Sequence, residues 1–157
     1  MSRGTPATQA LTRAGIAHDL AEYDYDPGAA KVGLQAAEAM GVAPAQVFKT
    51  LMVLADGKPA CAILPADAEA NMKKLAAALG AKSAKMMPPA EAERQTGYKI
   101  GGVSPLGQRK RAPAVLDASA AAHAEIFVNG GQRGLQIRIA PAELQRALGC
   151  TMAGIAR

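Results

Sequence analysis

The chain of 157 residues has no tryptophan, and its aromatic side chains number only three tyrosines and two phenylalanines. This scarcity disfavours binding of single-stranded nucleic acid by stacking successive bases on aromatic platforms. Half of the residues are hydrophobic, so the core must be built from aliphatic side chains and methionine. A chain of this length can bury such a core as one unit, and we expect residues 1–157 to form a single domain.

Cysteine and histidine are also scarce. Cys61 and Cys150 form no Cys-x-x-Cys pair, and His18 and His123 have no neighbour at metal-ligand spacing. We therefore expect no zinc site, no disulfide framework, and no metal or other cofactor. The sequence also lacks a Walker loop, a serine nucleophile elbow and a close pair of catalytic carboxylates. An enzyme with this sequence would depend on positioning, on backbone donors and on its own substrate.

The sequence has no apolar run of membrane-spanning length, and its N-terminus lacks the apolar segment of a signal peptide. The cytoplasm is the expected compartment. Lysine and arginine outnumber aspartate and glutamate by 18 to 13, which gives a net charge of +5 and a pI near 9.4. This excess is compatible with an anionic partner such as nucleic acid, although many enzymes are mildly basic.

Periodicity and turn residues predict six or seven strands interleaved with four or five helices. One helix should begin at Pro6 behind a Thr5 cap and stop at Gly15, and the others cover residues 31–40, 67–79 (capped by Asp67), 89–96 and 141–148. The predicted strands cover residues 16–25, 47–54, 60–64, 82–87, 113–116, 125–128 and 134–139. Because hairpins alternate with helical crossovers, we expect one compact α/β domain with a mixed sheet.

A lysine interrupts the most apolar of the predicted strands. Lys49 lies in the segment Val47-Phe-Lys-Thr-Leu51, where its ammonium must reach solvent, find a partner or enter a cavity. One interpretation is a solvent-facing position on a half-exposed strand. The other is a side chain that projects into a pocket, where it holds a phosphate or polarises a carbonyl.

The most informative segment is Tyr98-Lys-Ile-Gly-Gly-Val-Ser-Pro-Leu-Gly-Gln-Arg-Lys-Arg111. Its glycines allow a backbone to approach a ligand closely, with N–H groups that can face an anion or a polarised carbonyl. The three cations at its end could hold a phosphate. Taken separately, each part has a simpler interpretation, as a turn and as a solvated basic face.

A second glycine cluster, Asn129-Gly-Gly-Gln-Arg-Gly134, reads most simply as a hairpin turn, although Arg133 at its edge could reach a phosphate. Tyr23 and Tyr25 flank an acidic turn and are interpreted first as packing residues. The seven methionines, including Met86 and Met87, are expected to fill the core.

In the order and content of its motifs, the chain resembles the YbaK/EbsC-type aminoacyl-tRNA deacylases, which are free-standing relatives of the editing domain of bacterial prolyl-tRNA synthetase. Within that family it is most similar to the branch of Cys-tRNA(Pro) deacylases. The resemblance covers nearly the whole chain and rests on Thr5-Pro-Ala7, Tyr23 with Asp26-Pro27, Val47–Leu51, Leu79-Gly-Ala-Lys82, Thr96-Gly-Tyr98, Gly101–Arg111 and Val128–Leu135.

The resemblance implies a mixed, partly barrel-like sheet surrounded by helices, and hydrolysis of the ester between a wrongly attached amino acid and the 3′ end of tRNA. Lys49 matches a functionally required lysine, and Gly101 begins a Gly-x-x-x-Pro loop that lines the aminoacyl pocket; these two are the implied catalytic residues. The implied substrate-binding residues are Tyr23, Val32, Thr50, Gly102, Ser104, Pro105, Asn129, Gly130 and Gln136. The implied tRNA-binding residues are Arg109, Lys110, Arg111 and Arg133.

In the implied reaction, the thiol of a misattached cysteine attacks its own ester carbonyl and releases a cyclic thiolactone. The expected partners are aminoacyl-tRNA, with tRNA(Pro) as the acceptor, and prolyl-tRNA synthetase, whereas DNA and membranes are not expected. This chain departs from the Cys-specific branch at three positions. Asn129 stands where serine is frequent, Gln136 where aspartate is frequent, and Val32 where phenylalanine is frequent.

Because of these departures, two further hypotheses stay open. One is a deacylase for Ala- or Ser-charged tRNA that uses activated water. The other is a module that binds aminoacyl-tRNA or a synthetase without catalysis.

Overall fold

The computed structural model describes residues 4–27 and 31–157. Within these ranges the chain forms five α-helices and eight strands. The helices are α1 Pro6–Ala14, α2 Val32–Met40, α3 Met72–Ala78, α4 Pro89–Thr96 and α5 Pro141–Leu148. The strands are β1 Asp19–Glu22, β2 Phe48–Ala55, β3 Lys58–Pro65, β4 Ala84–Met86, β5 Ala114–Asp117, β6 Ile126–Asn129, β7 Leu135–Ile139 and β8 Thr151–Ala153. Two 3₁₀ turns cover Pro44–Gln46 and Ala118–Ala122.

The strands form two sheets. The smaller sheet has the order β1-β7-β6 and is antiparallel, whereas the larger one has the order β4-β2-β3-β5-β8. In the larger sheet β4, β2 and β3 are antiparallel, and β5 and β8 continue in parallel with β3. A single parallel bridge between Val47 and Phe127 joins the two sheets beside the start of β2. The prediction of a mixed sheet is confirmed.

Helix α1 forms where its end signals predict it. The Thr5 side chain accepts a hydrogen bond from the Thr8 N–H, and the Thr8 side chain accepts one from the Thr5 N–H, which is a capping box. Gly15 ends the helix with a positive φ of 67°. The Thr5 hydroxyl also donates to the Gly130 carbonyl, so this cap anchors α1 to the turn between β6 and β7.

The predicted start of α3 at Asp67 is wrong. Asn71 is the cap, and its side-chain oxygen accepts hydrogen bonds from the N–H groups of Lys73 and Lys74. The preceding residues are held away from a helical path by the C-terminal segment. Ala70 forms an antiparallel bridge with Ala156, and the Asn71 N–H donates to the Ile155 carbonyl.

Two further strands differ from the prediction. Strand β1 covers only the four residues that pair with β7, and β8, a short and partly exposed strand, was not predicted. The sequence also predicts a turn at Asp26-Pro27-Gly28, and Gly28 lies outside the described residues. The remaining predicted helices and strands form within a few residues of their expected ends.

The core is aliphatic, as composition predicts. Among the twelve largest fully buried side chains of the described residues, Phe48 is the one aromatic, and the others are leucines and isoleucines. Cys61 and Cys150 are both buried free thiols. None of the helices in the described ranges has the length and apolar character required to cross a lipid bilayer.

Candidate functional site

A cavity of about 330 Å³ opens beside the first half of β2. Its walls come from the start of α2, from β2, from the end of β4 and the start of α4, from the glycine loop (residues 98–107), and from β6 and β7. The lining residues are Val32, Gly33, Val47, Phe48, Lys49, Thr50, Leu51, Met52, Met86, Met87, Pro89, Ala92, Ile100, Gly101, Val103, Asn129 and Gln136. Six of the residues implied by the resemblance are therefore brought together here: Val32, Lys49, Thr50, Gly101, Asn129 and Gln136.

Lys49 lies in the cavity wall rather than on a freely solvated face. It pairs with Leu64 across the β2–β3 ladder, and its ammonium donates a hydrogen bond to the Ala68 carbonyl. Burial lowers the pKa of Lys49, and the nearby charge of Lys31 lowers it further, whereas Glu69 and Asp67 partly oppose this shift. The result is a partly desolvated cation at the edge of a largely apolar cavity.

Three buried polar atoms at this end of the molecule have no hydrogen-bond partner among the described residues. They are the Tyr23 hydroxyl, the Thr50 hydroxyl and the Gln136 side-chain carbonyl. Thr50 and Gln136 line the cavity, and Gln136 is only 2% exposed. An unsatisfied buried polar group costs about 1–3 kcal/mol, so this trio is a set of donors and acceptors arranged for a ligand or for water.

Tyr23 comes directly after β1, the strand that pairs with β7, and this pairing places it close to the cavity residue on β7. Its N–H donates to the Gly134 carbonyl, and Ala21 pairs with Gln136. Burial raises the pKa of Tyr23, and the neighbouring Tyr25 adds to the rise. The hydroxyl is therefore protonated at neutral pH and can donate a hydrogen bond.

The glycine loop is held against the turn between β6 and β7. The Ile100 carbonyl accepts two hydrogen bonds from Arg133, and the Gly101 carbonyl accepts one from the Asn129 side chain. Gly101 has a φ of +94°, and a Cβ at this position would lie 3.0 Å from the Tyr25 hydroxyl. The Gly101 N–H donates no hydrogen bond within the described residues, so it is available to a ligand.

The other glycine-loop and turn residues implied by the resemblance lie outside the cavity wall. The Gly102 N–H donates to the Lys99 carbonyl, and the fully buried Ser104 hydroxyl accepts from the Leu106 N–H. Pro105 lines a second cavity, of about 230 Å³, between α1, α5 and the segment 105–112. Gly130 forms a backbone hydrogen bond with Leu135, and its carbonyl is bound by Thr5.

The basic run also lies outside the cavity wall. Arg109, Lys110 and Arg111 are exposed, and the first two form backbone hydrogen bonds with the last turn of α4. The Arg111 guanidinium donates to the Leu148 carbonyl at the end of α5. Arg133, the fourth implied tRNA-binding residue, is exposed but binds the Ile100 carbonyl.

Sequence reasoning missed the apolar rim of the cavity. Met86 and Ile100 are 50% and 43% exposed, respectively, and both line the cavity. The expectation that the methionines fill the core holds for Met87, which is buried, but is wrong for Met86. Met86 ends the edge strand β4, where successive side chains point to opposite faces. Two consecutive methionines in a predicted strand point to opposite faces, so the pair Met86-Met87 was the sequence signal that one of the two could be exposed.

Among the described residues, the wall of this cavity contains no cysteine, serine, histidine, aspartate or glutamate. No group of three His, Cys, Asp or Glu side chains in these ranges could hold a metal ion. Cys61 lines the second cavity, and burial raises the pKa of its thiol to about 12. Burial also raises the pKa of Cys150. Both thiols therefore stay protonated and unreactive near neutral pH.

Comparison with known protein families gives one match that covers most of the chain. The model described as "Aminoacyl-tRNA editing domain" matches residues 26–147. This range contains every cavity-lining residue named above.

Curated relatives point to the same kind of domain. A protein of Enterococcus faecalis named "Putative Cys-tRNA(Pro)/Cys-tRNA(Cys) deacylase EbsC" is 39% identical over 106 residues, which are 67% of this chain and 65% of that relative. A proline–tRNA ligase of Acidithiobacillus ferrooxidans is 36% identical over 97 residues, 62% of this chain but only 17% of the ligase. The chain thus matches just under two thirds of the first relative and a small part of the second.

A solved structure has the same fold. The protein described as "a putative trans-editing enzyme for prolyl tRNA synthetase" superposes with a TM-score of 0.85 over 97% of this chain and 95% of its own, at 24% identity. The predicted fold class, a mixed sheet surrounded by helices, is confirmed by this likeness.

Proposed function

The chain belongs to the aminoacyl-tRNA editing domain family, and from this premise we propose that it is a trans-editing deacylase of mischarged tRNA(Pro), with Cys-tRNA(Pro) as the favoured substrate. The observation that carries the proposal is the cavity in which Lys49 and Gly101 lie beside the unpartnered polar atoms of Thr50 and Gln136, with no cysteine, serine or histidine in its wall. The similarity to EbsC supports the choice of cysteine. We treat residues 1–157 as one editing domain, and a tRNA substrate implies the cytoplasm.

We assign the chemistry to the substrate's own thiol. Its sulfur forms a bond to the ester carbonyl carbon, the bond between that carbon and the ribose oxygen breaks, and the thiol proton passes to the ribose oxygen. The products are free tRNA and a cyclic thiolactone, which water then opens to cysteine. The two buried, protonated thiols of the chain support this assignment, because neither can serve as the nucleophile.

The cavity residues then contribute by binding and orienting the substrate and not by forming a covalent bond to it. The free Gly101 N–H would donate to the ester carbonyl oxygen as negative charge develops on it. The Lys49 ammonium would neutralise the terminal phosphate or orient the aminoacyl carbonyl. The Tyr23, Thr50 and Gln136 side chains would satisfy their hydrogen-bonding capacity on the aminoacyl group, with Val32 in the apolar wall.

We assign the tRNA body to the exposed basic run Arg109–Arg111. A chain of this size has little room for anticodon recognition, so we propose that prolyl-tRNA synthetase acts as the partner that supplies tRNA choice. The similarity to part of a proline–tRNA ligase supports a link to that enzyme.

The test is deacylation of tRNA(Pro) charged in parallel with Cys, Ser, Ala and Pro. The expected result is rapid loss of Cys alone, with a thiolactone-derived product. The Lys49→Ala variant should lose this activity, and Lys74→Ala, which removes an exposed lysine of α3, should keep it. Loss of Ser or Ala at a similar rate would contradict the thiol-assisted reaction and indicate water held by the polar trio. Binding without turnover of any substrate would show a non-catalytic module.

A further inference from the structure

The end of β6 and the turn that follows it, residues 129–134, contact the glycine loop beside the cavity. Its first residue, Asn129, donates from its side-chain amide to the Gly101 carbonyl at 3.2 Å. Arg133 donates from Nε and Nη2 to the Ile100 carbonyl, at 2.9 and 2.7 Å. Two successive carbonyls of the loop are therefore fixed by two side chains of one turn.

The Arg133 side chain is itself fixed by its surroundings. Its guanidinium lies 5.5 Å from the centre of the Tyr25 ring, a cation–π contact. The Gly101 backbone approaches it so closely that a Cβ on Gly101 would lie 3.1 Å from Nε. Arginine suits this position because its planar fork can donate two N–H groups to one acceptor while it stacks on an aromatic ring, which lysine cannot do.

These contacts change the role expected for Arg133. The edge of the guanidinium formed by Nε and Nη2 is already bound to a protein carbonyl, so this edge is committed to the glycine loop. Because the Ile100 carbonyl belongs to the peptide unit that contains the Gly101 N–H, a group that holds this carbonyl also sets the direction of that N–H. We propose that Arg133 is a positioning residue for deacylation, which orients the Gly101 N–H instead of contacting tRNA. This inference rests on the proposed function.

Two substitutions separate the roles. Arg133→Lys keeps the charge that a phosphate contact needs but loses the bidentate fork, and Arg133→Gln loses the charge as well. If Arg133 positions the loop, kcat should fall by about 10- to 100-fold in both variants, because a small misplacement of a reacting group has an effect of this size. KM and the salt dependence of KM should stay unchanged. If Arg133 contacts phosphate, Arg133→Lys should be nearly normal, and Arg133→Gln should raise KM and flatten its salt dependence.

Arg138→Gln is the matched control. Arg138 lies on β7 of the same hairpin, is exposed, and pairs with Asp19 and Glu125 instead of the glycine loop. Its substitution removes the same charge and should leave kcat unchanged.

A second readout does not depend on activity. Hydrogen exchange of the amides in residues 99–104 should be faster in Arg133→Lys than in the native protein and in Arg138→Gln, with other segments unchanged. Unchanged exchange, or a change in KM alone, would overturn the proposal. If the native protein deacylates none of the charged tRNAs, the proposed function fails, and the exchange result still decides whether Arg133 holds the loop.

Discussion

The Thr50 hydroxyl has no hydrogen-bond partner in the described residues, so we predict that its removal stabilises the folded protein. Valine has nearly the same shape as threonine, and both β-branched residues suit a strand such as β2. Thr50→Val would remove a buried polar atom that has no partner in the described residues. Because leaving such a group unsatisfied costs about 1–3 kcal/mol, we expect the substitution to raise the free energy of unfolding by about 1 kcal/mol. For a chain of this size, this corresponds to a rise in Tm of about 2–4 °C.

Thr96 provides the control with the opposite expectation. It is also buried, at 2% exposure, but its hydroxyl donates to the Ala92 carbonyl at 2.8 Å and accepts from the Tyr98 N–H at 3.1 Å. Thr96→Val leaves that N–H unpaired and should lower the free energy of unfolding by about 1–3 kcal/mol. The same chemical change is thus predicted to stabilise the protein at one position and to destabilise it at the other.

Urea unfolding measures both effects, provided that the m-value is unchanged. In parallel, kcat/KM for deacylation should fall about tenfold in Thr50→Val, which corresponds to the loss of about 1.4 kcal/mol of transition-state binding. If Thr50→Val is destabilised as Thr96→Val is, the Thr50 hydroxyl has a partner in the unliganded protein, such as an ordered water. This result would refute the argument that polar atoms of the cavity lack partners in the unliganded protein and form hydrogen bonds to the substrate.

Three further predictions concern single groups. Since burial lowers the pKa of Lys49, activity that needs its ammonium should decline as the pH rises through that lowered pKa, at a lower pH than for an ordinary lysine. A kcat/KM profile that declines only where an ordinary lysine loses its proton would contradict this. Gly101→Ala places a Cβ 3.0 Å from the Tyr25 hydroxyl at a φ of +94°, so kcat should fall by about 100-fold or more, with a folded protein by circular dichroism. Burial opposes the ionised form of Asp117, but hydrogen bonds from the Ser119 side chain, Ile155, the Ser119 backbone and Ala156 outweigh it and lower the pKa. The stabilisation of the folded protein by the Asp117 carboxylate should be present above the pKa of an unfolded aspartate and disappear as the pH falls through the lowered pKa. We expect Asp117→Ala to lower the free energy of unfolding, measured in urea, by about 2–4 kcal/mol at pH 7 and by less near pH 3.

Local signals in the sequence predicted those parts of the fold that depend on local chemistry. Thr5 and Gly15 specify both ends of α1, because caps depend on nearby backbone geometry. Asp67 was a wrong cap, since the C-terminal segment, far away in the sequence, holds residues 70 and 71. Strand β8 was missed for the same reason: three partly exposed residues gain strand structure only through pairing with β5.

The residues of the candidate site also divide into those that a local signal in the sequence indicated and those that it did not. Lys49 stood out because a charge in an apolar run requires an explanation, and the structure indeed gives it a carbonyl partner. Gln136 and Val32 came from the resemblance alone, as no periodicity distinguishes them. Met86 could not be assigned from composition, because whether a methionine is buried on an edge strand depends on what covers that edge.

The second glycine cluster, residues 129–134, was interpreted most simply as a hairpin turn. In the structure it contacts the cap of α1, Tyr23 after β1, and the Tyr98 ring. The Gly130 carbonyl binds Thr5 of the α1 cap, and the Gly134 carbonyl binds the Tyr23 N–H. A Cβ on Gly131 would lie 2.7 Å from the Tyr98 ring, and one on Gly134 would lie 2.8 Å from the Tyr23 carbonyl. Glycine is therefore required here by neighbours that are distant in sequence, and not only by the turn. Because the same turn carries Arg133, the alignment of β6 with β7 fixes the position of Tyr23 and of the glycine loop together.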